Sequence, residues 1–384
     1  MLLVTAFILA LTFQDAPAEK EAPPTPTIEE FANQVVTAFS AGEADALSAF
    51  FDVERFLDRA LGGVEADPPA VEGFRDGFKK SFRLGHLCAV LGNQGWAERL
   101  RIEAKDDGSW GALCRLVYPG AFIDYYVFRI EQHGGAFCVT DVSYLADCYS
   151  QSEVTLEGGE AIFTDPASPD GLQIALLFKK SKEQERAGEY EGLLQTITEL
   201  EKRGHGTKRL LIQKLRVLSL LKKKDEYGAL LEKIQETYPA DPNLPHVLYK
   251  ICLREGRLAD ALPHLDAIDR WAGDDPYIEY LRGILSNALK RRSDAKRFHR
   301  RAIEEDPLLL APYYELIAYS LEEKDFETTG AMMTTLEELL ESDLRAVLED
   351  SQYEAFAASD AGKLWLANHK PEADPAAAPV GAPR

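Results

Sequence analysis

The chain has 384 residues, of which 46% are hydrophobic and 28% are charged, and its formal net charge is −21. This composition is typical of a soluble globular protein with two or three domains, and it excludes a chain that is disordered throughout. The negative charge argues against a general nucleic-acid or anionic-membrane binder, because both functions need a positive face.

The N-terminus carries the pattern of an export signal. Residues 1–18 begin with the apolar run MLLVTAFILALTF, which suits a signal-peptide core and is too short to span a bilayer of about 30 Å. Ala16 and Ala18 supply the small-x-small pattern of a cleavage site. We therefore expect a signal peptide over 1–18 and an exported protein of bacterial type, located in the periplasm, cell envelope or extracellular space. The alternatives are a buried N-terminal helix or a misassigned start, and without a signal the protein is expected to be cytoplasmic.

Two flanking segments are predicted to be disordered. Residues 19–27 consist mainly of Pro, Glu and Thr, and residues 369–384 are rich in Pro and Ala, so neither segment can bury enough apolar surface to order itself. Beyond the N-terminal run, no stretch approaches the roughly 18 uninterrupted apolar residues of a transmembrane helix. We therefore expect no stable membrane insertion once the signal is removed.

Residues 28–150 change from helical to strand periodicity. Apolar residues recur at helical spacing from Phe31 to Phe39, and further helical faces are predicted over 47–51, 53–61 and 71–91. From Trp96 onward the pattern alternates. It predicts four antiparallel strands, the first ending near Ala104 and the others covering 112–118, 121–131 and 136–144. Helices followed by strands predict an α+β domain with the helices on one face of an antiparallel meander. Breakers in 151–170 predict a linker or an extra hairpin.

The order of helices and then a meander resembles the nuclear-transport-factor-2-like cone, also called the SnoaL or ketosteroid-isomerase-like fold. The resemblance rests on element order alone, and a generic α+β sandwich is the alternative. It implies an interior lined by a carboxylate base and a tyrosine donor. The matching candidate pocket residues here are Tyr118, Asp124, Tyr126 and Asp141. Alternation places Asp124 on the face of Tyr126 and Phe128, although both faces are largely apolar.

The C-terminal half shows self-similarity at 34 residues. In the best unit, Pro276 to Leu309, small residues or proline occupy the eighth, twentieth, twenty-seventh and thirty-second places, namely Gly283, Ala295, Ala302 and Pro307. This pattern resembles the tetratricopeptide repeat (TPR), and similar units predict about five hairpins in an all-α TPR-like solenoid over 171–343. A different α-solenoid is the alternative. Residues 344–368 are predicted to form a capping helix.

The repeat resemblance implies a protein-binding scaffold that recognises a protein or peptide through the solenoid. The alternative is a small-molecule-binding or isomerase-like cone domain that the repeats localise, and self-association is a third possibility. The stretch Lys290 to Arg301 holds seven basic residues and one acid. Its candidate partner-binding residues are Arg292, Lys296, Arg297, Arg300 and Arg301, which fall on two helical faces. The alternative for these residues is a solvated face offset by neighbouring acids such as Glu304 and Glu305.

No residue set in the sequence amounts to a catalytic site, a metal site or a cofactor site. The five cysteines lack the two-residue spacing of zinc ribbons, and no histidine pair has the spacing of a hydrolytic zinc helix. Gly-rich phosphate loops and Gly-x-Ser-x-Gly elbows are also missing. We therefore predict a protein that is not an enzyme, with the N-terminal domain left open. If the chain is exported, four cysteines of the N-terminal domain could form disulfides; the alternative is that they are buried hydrophobes.

Overall fold

The computed structural model describes residues 26–62, 64, 67–91, 95–118, 122–145, 149–153, 155, 156, 169–239, 241 and 243–368. The predicted signal peptide, most of the linker after it and the tail 369–384 lie outside the described residues. Within those residues, no helix has the length and apolar character needed to cross a membrane.

Five helices precede the sheet in this part of the chain. They are α1 (Ile28–Ser40), α2 (Ala44–Ala49), α3 (Val53–Leu61), α4 (Pro68–Ser81) and α5 (Gly85–Leu91). Helix α1 begins at a capping box, in which the Thr27 and Glu30 side chains each accept a hydrogen bond from the other residue's amide. The helical span predicted over 71–91 is instead two helices. The chain becomes extended at Phe82, whose ring packs against Phe51 and Phe56.

The strands form one antiparallel meander, as the sequence predicts. They are β1 (Trp96–Ala104), β2 (Trp110–Tyr118), β3 (Phe122–His133), β4 (Ala136–Tyr144) and the short β5 (Tyr149–Ser150), in that order across the sheet. Gly134 and Gly135 adopt φ angles of 57° and 87° in the tight turn between β3 and β4, a conformation that favours glycine. The order of helices before a meander is therefore present, and the resemblance to the cone fold stays a prediction.

Ten further helices form five consecutive hairpins within the described residues. The pairs are α6 (Pro169–Ala187) with α7 (Tyr190–Lys202), α8 (Lys208–Leu220) with α9 (Lys224–Thr237), α10 (Leu244–Arg254) with α11 (Leu258–Ala272), α12 (Pro276–Ala288) with α13 (Arg292–Glu305), and α14 (Ala311–Glu323) with α15 (Phe326–Leu340). We number them as the first to fifth hairpins. Each buries its apolar face on its neighbours, which is how a TPR-like solenoid is stabilised.

The sheet is covered by helices on both of its faces. On one face, the ring of Phe39 from α1 lies 5.5 Å from those of Tyr126 and Phe128. On the other face, Leu113, Ile123 and Tyr125 share an apolar core with α10 to α13, including Tyr249, Leu265 and Ile268. The prediction placed helices on one face only. Because each face packs against a helical layer, both faces of β2 and β3 are rich in apolar residues.

The turn inside each hairpin repeats one backbone geometry every 34 residues. Left-handed φ angles between 57° and 71° occur at Gly188, Lys222, Gly256, Lys290 and Lys324. In every hairpin the amide of the following residue donates to the carbonyl four positions before the left-handed residue. This is the hydrogen-bonded ending typical of helices that stop at an αL residue. The constant spacing establishes the predicted repeat period in all five hairpins, including those whose sequences are degenerate.

We expect opposite effects from alanine at two glycines of this region. Gly256 is left-handed and a Cβ there would meet no atom within 4 Å, so Gly256→Ala should destabilise the protein by about 1 kcal/mol through backbone strain alone. Gly228 lies inside helix α9 with equally open space, and Gly228→Ala should stabilise the protein by about 0.5–1 kcal/mol. Urea-induced unfolding followed by circular dichroism measures both. Effects of the same sign would contradict a special backbone role for Gly256.

The C-terminal segment differs from the single capping helix predicted over 344–368. It consists of two 3₁₀ turns, Arg345–Glu349 and Ser351–Tyr353, followed by α16 (Glu354–Ala358) and α17 (Asp360–Asn368). The helical path is interrupted because Asp350 and Ser359 are extended, with ψ angles of 132° and 164°. The segment still closes the stack, since Phe356 and Trp365 are buried on the fifth hairpin.

Candidate functional site

A buried network of ion pairs and hydrogen bonds joins the sheet to the start of the fourth hairpin. Arg115 on β2 is 1% exposed and donates to the carboxylates of Asp275 and Glu98. The hydroxyl of Tyr125 on β3 donates to Oδ2 of Asp275 over 2.7 Å, and burial raises the pKa of that tyrosine. Asp275 also caps α12 by accepting from the amide of Tyr277 over 3.0 Å. Asp275, which lies between α11 and α12, is thus bonded to residues of both β2 and β3.

Asp124, one of the candidate pocket residues, is bound to the solenoid. Its Oδ2 lies 3.1 Å from Nζ of Lys250 and its Oδ1 lies 3.4 Å from Nε2 of His246, both on α10. Burial acts to raise the pKa of Asp124, but the charges and hydrogen bonds of Lys250 and His246 together outweigh burial and hold the pKa below its usual value. Asp124 is therefore an ionised partner in an interface, and its low pKa is the opposite of what a general base near neutral pH needs.

Asp141 has a different environment. It accepts hydrogen bonds from the hydroxyl of Ser152, from the Ser152 amide over 3.1 Å and from the Val142 amide over 2.8 Å, while burial raises its pKa. It lines a cleft of about 490 Å³ between the sheet and the solenoid, beside Trp110 and Trp271. Neither Asp124 nor the two tyrosines of the candidate set line this cleft.

The two candidate tyrosines belong to the core between the sheet and α1 to α5. Tyr126 stacks on Phe39, and its ring centroid lies 4.7 Å from that of Tyr144. Tyr118 is partly buried against the same core. The four candidate pocket residues therefore do not converge on one cavity in the part of the chain that the structure describes. Alternation along β3 predicted that Asp124 would share a face with Tyr126. This prediction is wrong, because the Asp124 carboxylate contacts α10 and does not join Tyr126 in that core.

The basic residues of α13 contact acids of the solenoid itself. Arg292 pairs with Glu322 and lies over the ring of Tyr319, and Lys296 pairs with Glu323. These acids end α14, in the hairpin that follows. On the other face, Arg297 lies 3.0 Å from Asp294, and Arg301 lies 2.8 Å from Glu305 and 3.6 Å from Glu279. Arg300 is exposed and has no ion pair among the described residues. Most of this predicted patch is thus neutralised within the chain.

A second basic surface was not predicted. We call it the turn groove; it lies where the turns of the second and third hairpins stand side by side, and its volume is about 770 Å³. Five cationic side chains and one acidic side chain line it, together with Tyr227: Lys222, Lys223, Lys224, Arg254, Arg257 and Glu255. The run LKKKD and the turn REGR one repeat later carry the signal for this groove. That signal is visible only when the two repeats are aligned.

The charges of the turn groove are only partly compensated. Glu255 accepts from Nε of Arg257 over 2.9 Å, and Lys223 lies 3.1 Å from Glu226. Arg254 donates to Oγ of Ser219 over 2.9 Å. Lys222 and Lys224 are exposed and make no ion pair with any residue that the structure describes. In contrast to α13, this surface keeps an excess of positive charge.

The cysteines that the structure describes are not joined in disulfides. The four described cysteines, Cys88, Cys114, Cys138 and Cys252, are free thiols, and burial raises the pKa of each. Cys148 lies outside the described residues. Among the residues with a described position, no group of three or more His, Cys, Asp or Glu side chains could hold a metal ion.

No family model and no curated protein matches this chain. Solved structures that it resembles include residues 41 to the end of MamA from Desulfovibrio magneticus RS-1, at 20% identity and a TM-score of 0.35, covering 44% of this chain and 97% of that one. PilW, described as a widely conserved type IV pilus biogenesis factor, is 14% identical with a TM-score of 0.33, covering 51% of this chain and 91% of that one. Such distant likeness says nothing of partners or activity.

Proposed function

We propose that this chain is an exported, non-catalytic scaffold that binds a protein or peptide through its helical solenoid. The observation that carries the proposal is a stack of five hairpins whose surface presents large apolar side chains to solvent. Leu172, Leu308 and Tyr314 are 66%, 74% and 49% exposed on this stack. We take these residues as candidate contact points, because repeat stacks present extended binding surfaces to macromolecular partners.

The buried sheet contact determines how the proposal is tested. Because α10 to α12 pack on β2 and β3, removing the N-terminal domain would expose an apolar face of the solenoid and cause nonspecific capture. The full chain is therefore the right bait. Its native export route should be kept, since export rests on the apolar run and small-x-small pattern of residues 1–18.

Photo-crosslinking in the source cells tests the scaffold function. A benzoylphenylalanine at Tyr314 on α14 or at Lys224 in the turn groove should give a protein adduct of defined mass. The same residue at exposed Lys80, on α4, is the matched control and should give none. Adducts from a solenoid position alone support the proposal. Adducts from Lys80 alone, or from no position, contradict it.

A second candidate function is small-molecule binding in the cleft beside Asp141, with the solenoid localising that site. The favouring observation is a buried carboxyl of raised pKa in a cleft of about 490 Å³ that also contains Trp110 and Trp271. A small molecule that co-purifies with the native protein in mass spectrometry, and is lost on Trp271→Ala, would favour this function over the scaffold. Of the four candidate pocket residues, only Asp141 would then belong to the binding site.

A further inference from the structure

We propose that the turn groove binds an acidic segment of a protein partner, with carboxylates held by Lys222, Lys224 and Arg254. This inference rests on the proposed scaffold function and specifies where and what the solenoid recognises. It moves the partner site from α13, where internal acids neutralise the basic residues, to the second and third hairpins.

Charge distribution gives the first argument. The chain as a whole carries −21, whereas five cationic side chains face one acid in the turn groove. Field lines concentrate in a cleft lined by one sign of charge, so an approaching anionic segment is attracted here and repelled by most of the remaining surface. The contrast makes the groove selective for acidic segments as well as attractive to them.

The state of Arg254 gives the second argument. This side chain lines the groove, and burial lowers its pKa, as does the positive charge of nearby Arg216. The charge of Glu255 acts in the opposite direction but compensates these two effects only in part. A carboxylate bound beside Arg254 would offset them and gain a charge-assisted hydrogen bond, for which Arg is well suited.

The shape of the groove indicates a peptide and not a nucleic acid. A volume of about 770 Å³ is within the range of ligand pockets, and Leu218, Leu220 and Tyr227 give it apolar parts that could receive one or two side chains. A nucleic-acid duplex carries a charge about every 1.7 Å along its axis, so most of its phosphates would lie outside the groove, on a chain whose net charge is −21. A short acidic segment with an apolar residue at its centre fits both features.

Fluorescence anisotropy of the full chain with a labelled probe peptide, EEEEFLEEEE, tests the groove. We expect saturable binding that weakens steeply between about 20 and 200 mM NaCl, because screening reduces attraction between exposed charges. Changing Lys222→Asn with Lys224→Gln should weaken binding about tenfold. Asn tolerates the left-handed backbone of residue 222, so this variant should keep its fold and melting temperature.

A matched variant controls for net charge. Arg297→Gln with Arg300→Gln also removes two exposed positive charges, but from α13, and should change the affinity less than twofold. Absence of probe binding, an equal loss in both variants, or equal binding of a single-stranded dT20 oligonucleotide would overturn the acidic-peptide assignment. If a partner is still crosslinked at Tyr314 while Lys222→Asn with Lys224→Gln leaves the affinity for the probe peptide unchanged, the assignment of the groove is wrong and the scaffold function stands. If no position yields a partner, both fail.

Discussion

Asp275→Asn is expected to lower the free energy of unfolding by about 3 kcal/mol. Arg115 is 1% exposed, and its guanidinium would lose the only buried carboxylate among its described partners. Removing one member of a buried ion pair costs about 3–5 kcal/mol, since the other charge stays buried without compensation. Asn caps a helix about as well as Asp, so the cap of α12 is retained, and the effect reports the lost charge together with the Tyr125 hydrogen bond to Oδ2.

The neighbouring residue supplies the control for this prediction. Asp274 is exposed and has a left-handed φ of 61°, which Asn tolerates, so Asp274→Asn should stay within about 0.5 kcal/mol of the parent protein. Urea-induced unfolding measures both variants. In a double-mutant cycle with Arg115→Met, the two losses should be clearly less than additive. A loss below about 1 kcal/mol for Asp275→Asn would mean that Glu98 alone compensates Arg115.

Gly283→Ala is expected to destabilise the protein by about 2–3 kcal/mol, at the upper end of what overpacking costs. A Cβ on Gly283 in α12 would lie 2.6 Å from Nδ1 and 2.7 Å from Nε2 of His299 in α13. The imidazole is fully buried between the rings of Tyr280 and Tyr319, with centroids at 5.5 and 5.7 Å, so it has little room to move. Burial also lowers its pKa to about 4, which keeps it neutral at pH 7.

Two further variants test whether the collision with His299 causes the expected loss of stability. Gly330 lies inside α15, where a Cβ would make an ordinary contact at 3.7 Å with Phe356, so Gly330→Ala should be neutral or slightly stabilising. In a His299→Ala chain, which has space beside residue 283, adding Gly283→Ala should cost less than about 0.5 kcal/mol. An undiminished cost in that background would show that the collision with His299 is not the reason.

The repeat period was predictable because small residues recur at fixed positions of the repeat unit. Gly283, Ala295 and Ala302 of the best unit lie where helices touch, and both alanines are fully buried. The meander was predictable from alternation. The docking of the sheet on the solenoid was not, because it depends on single residues such as Arg115 and Asp275 that are 160 positions apart.

The candidate sites were harder to predict than the fold. The basic run in α13 was visible as a local cluster, whereas its neutralising acids, Glu322 and Glu323, come from the following hairpin. The turn groove is the opposite case, because neither of its two turns alone suggests a binding surface and the groove forms only where the two turns lie side by side. For Asp124, the resemblance to the cone fold implied a place in a pocket, but Lys250 and His246 become its neighbours only after the chain has folded.

The packing of the sheet on the middle hairpins also determines where the stack of hairpins opens first. A row of hairpins held only by nearest neighbours behaves as a one-dimensional chain that can break at any junction. Here the sheet adds a second set of contacts to α10, α11 and the start of α12, so opening at those places must break both sets. We therefore expect thermal fraying to begin at the two ends and move inward, and we expect the middle hairpins to be the last to exchange their amide protons with solvent.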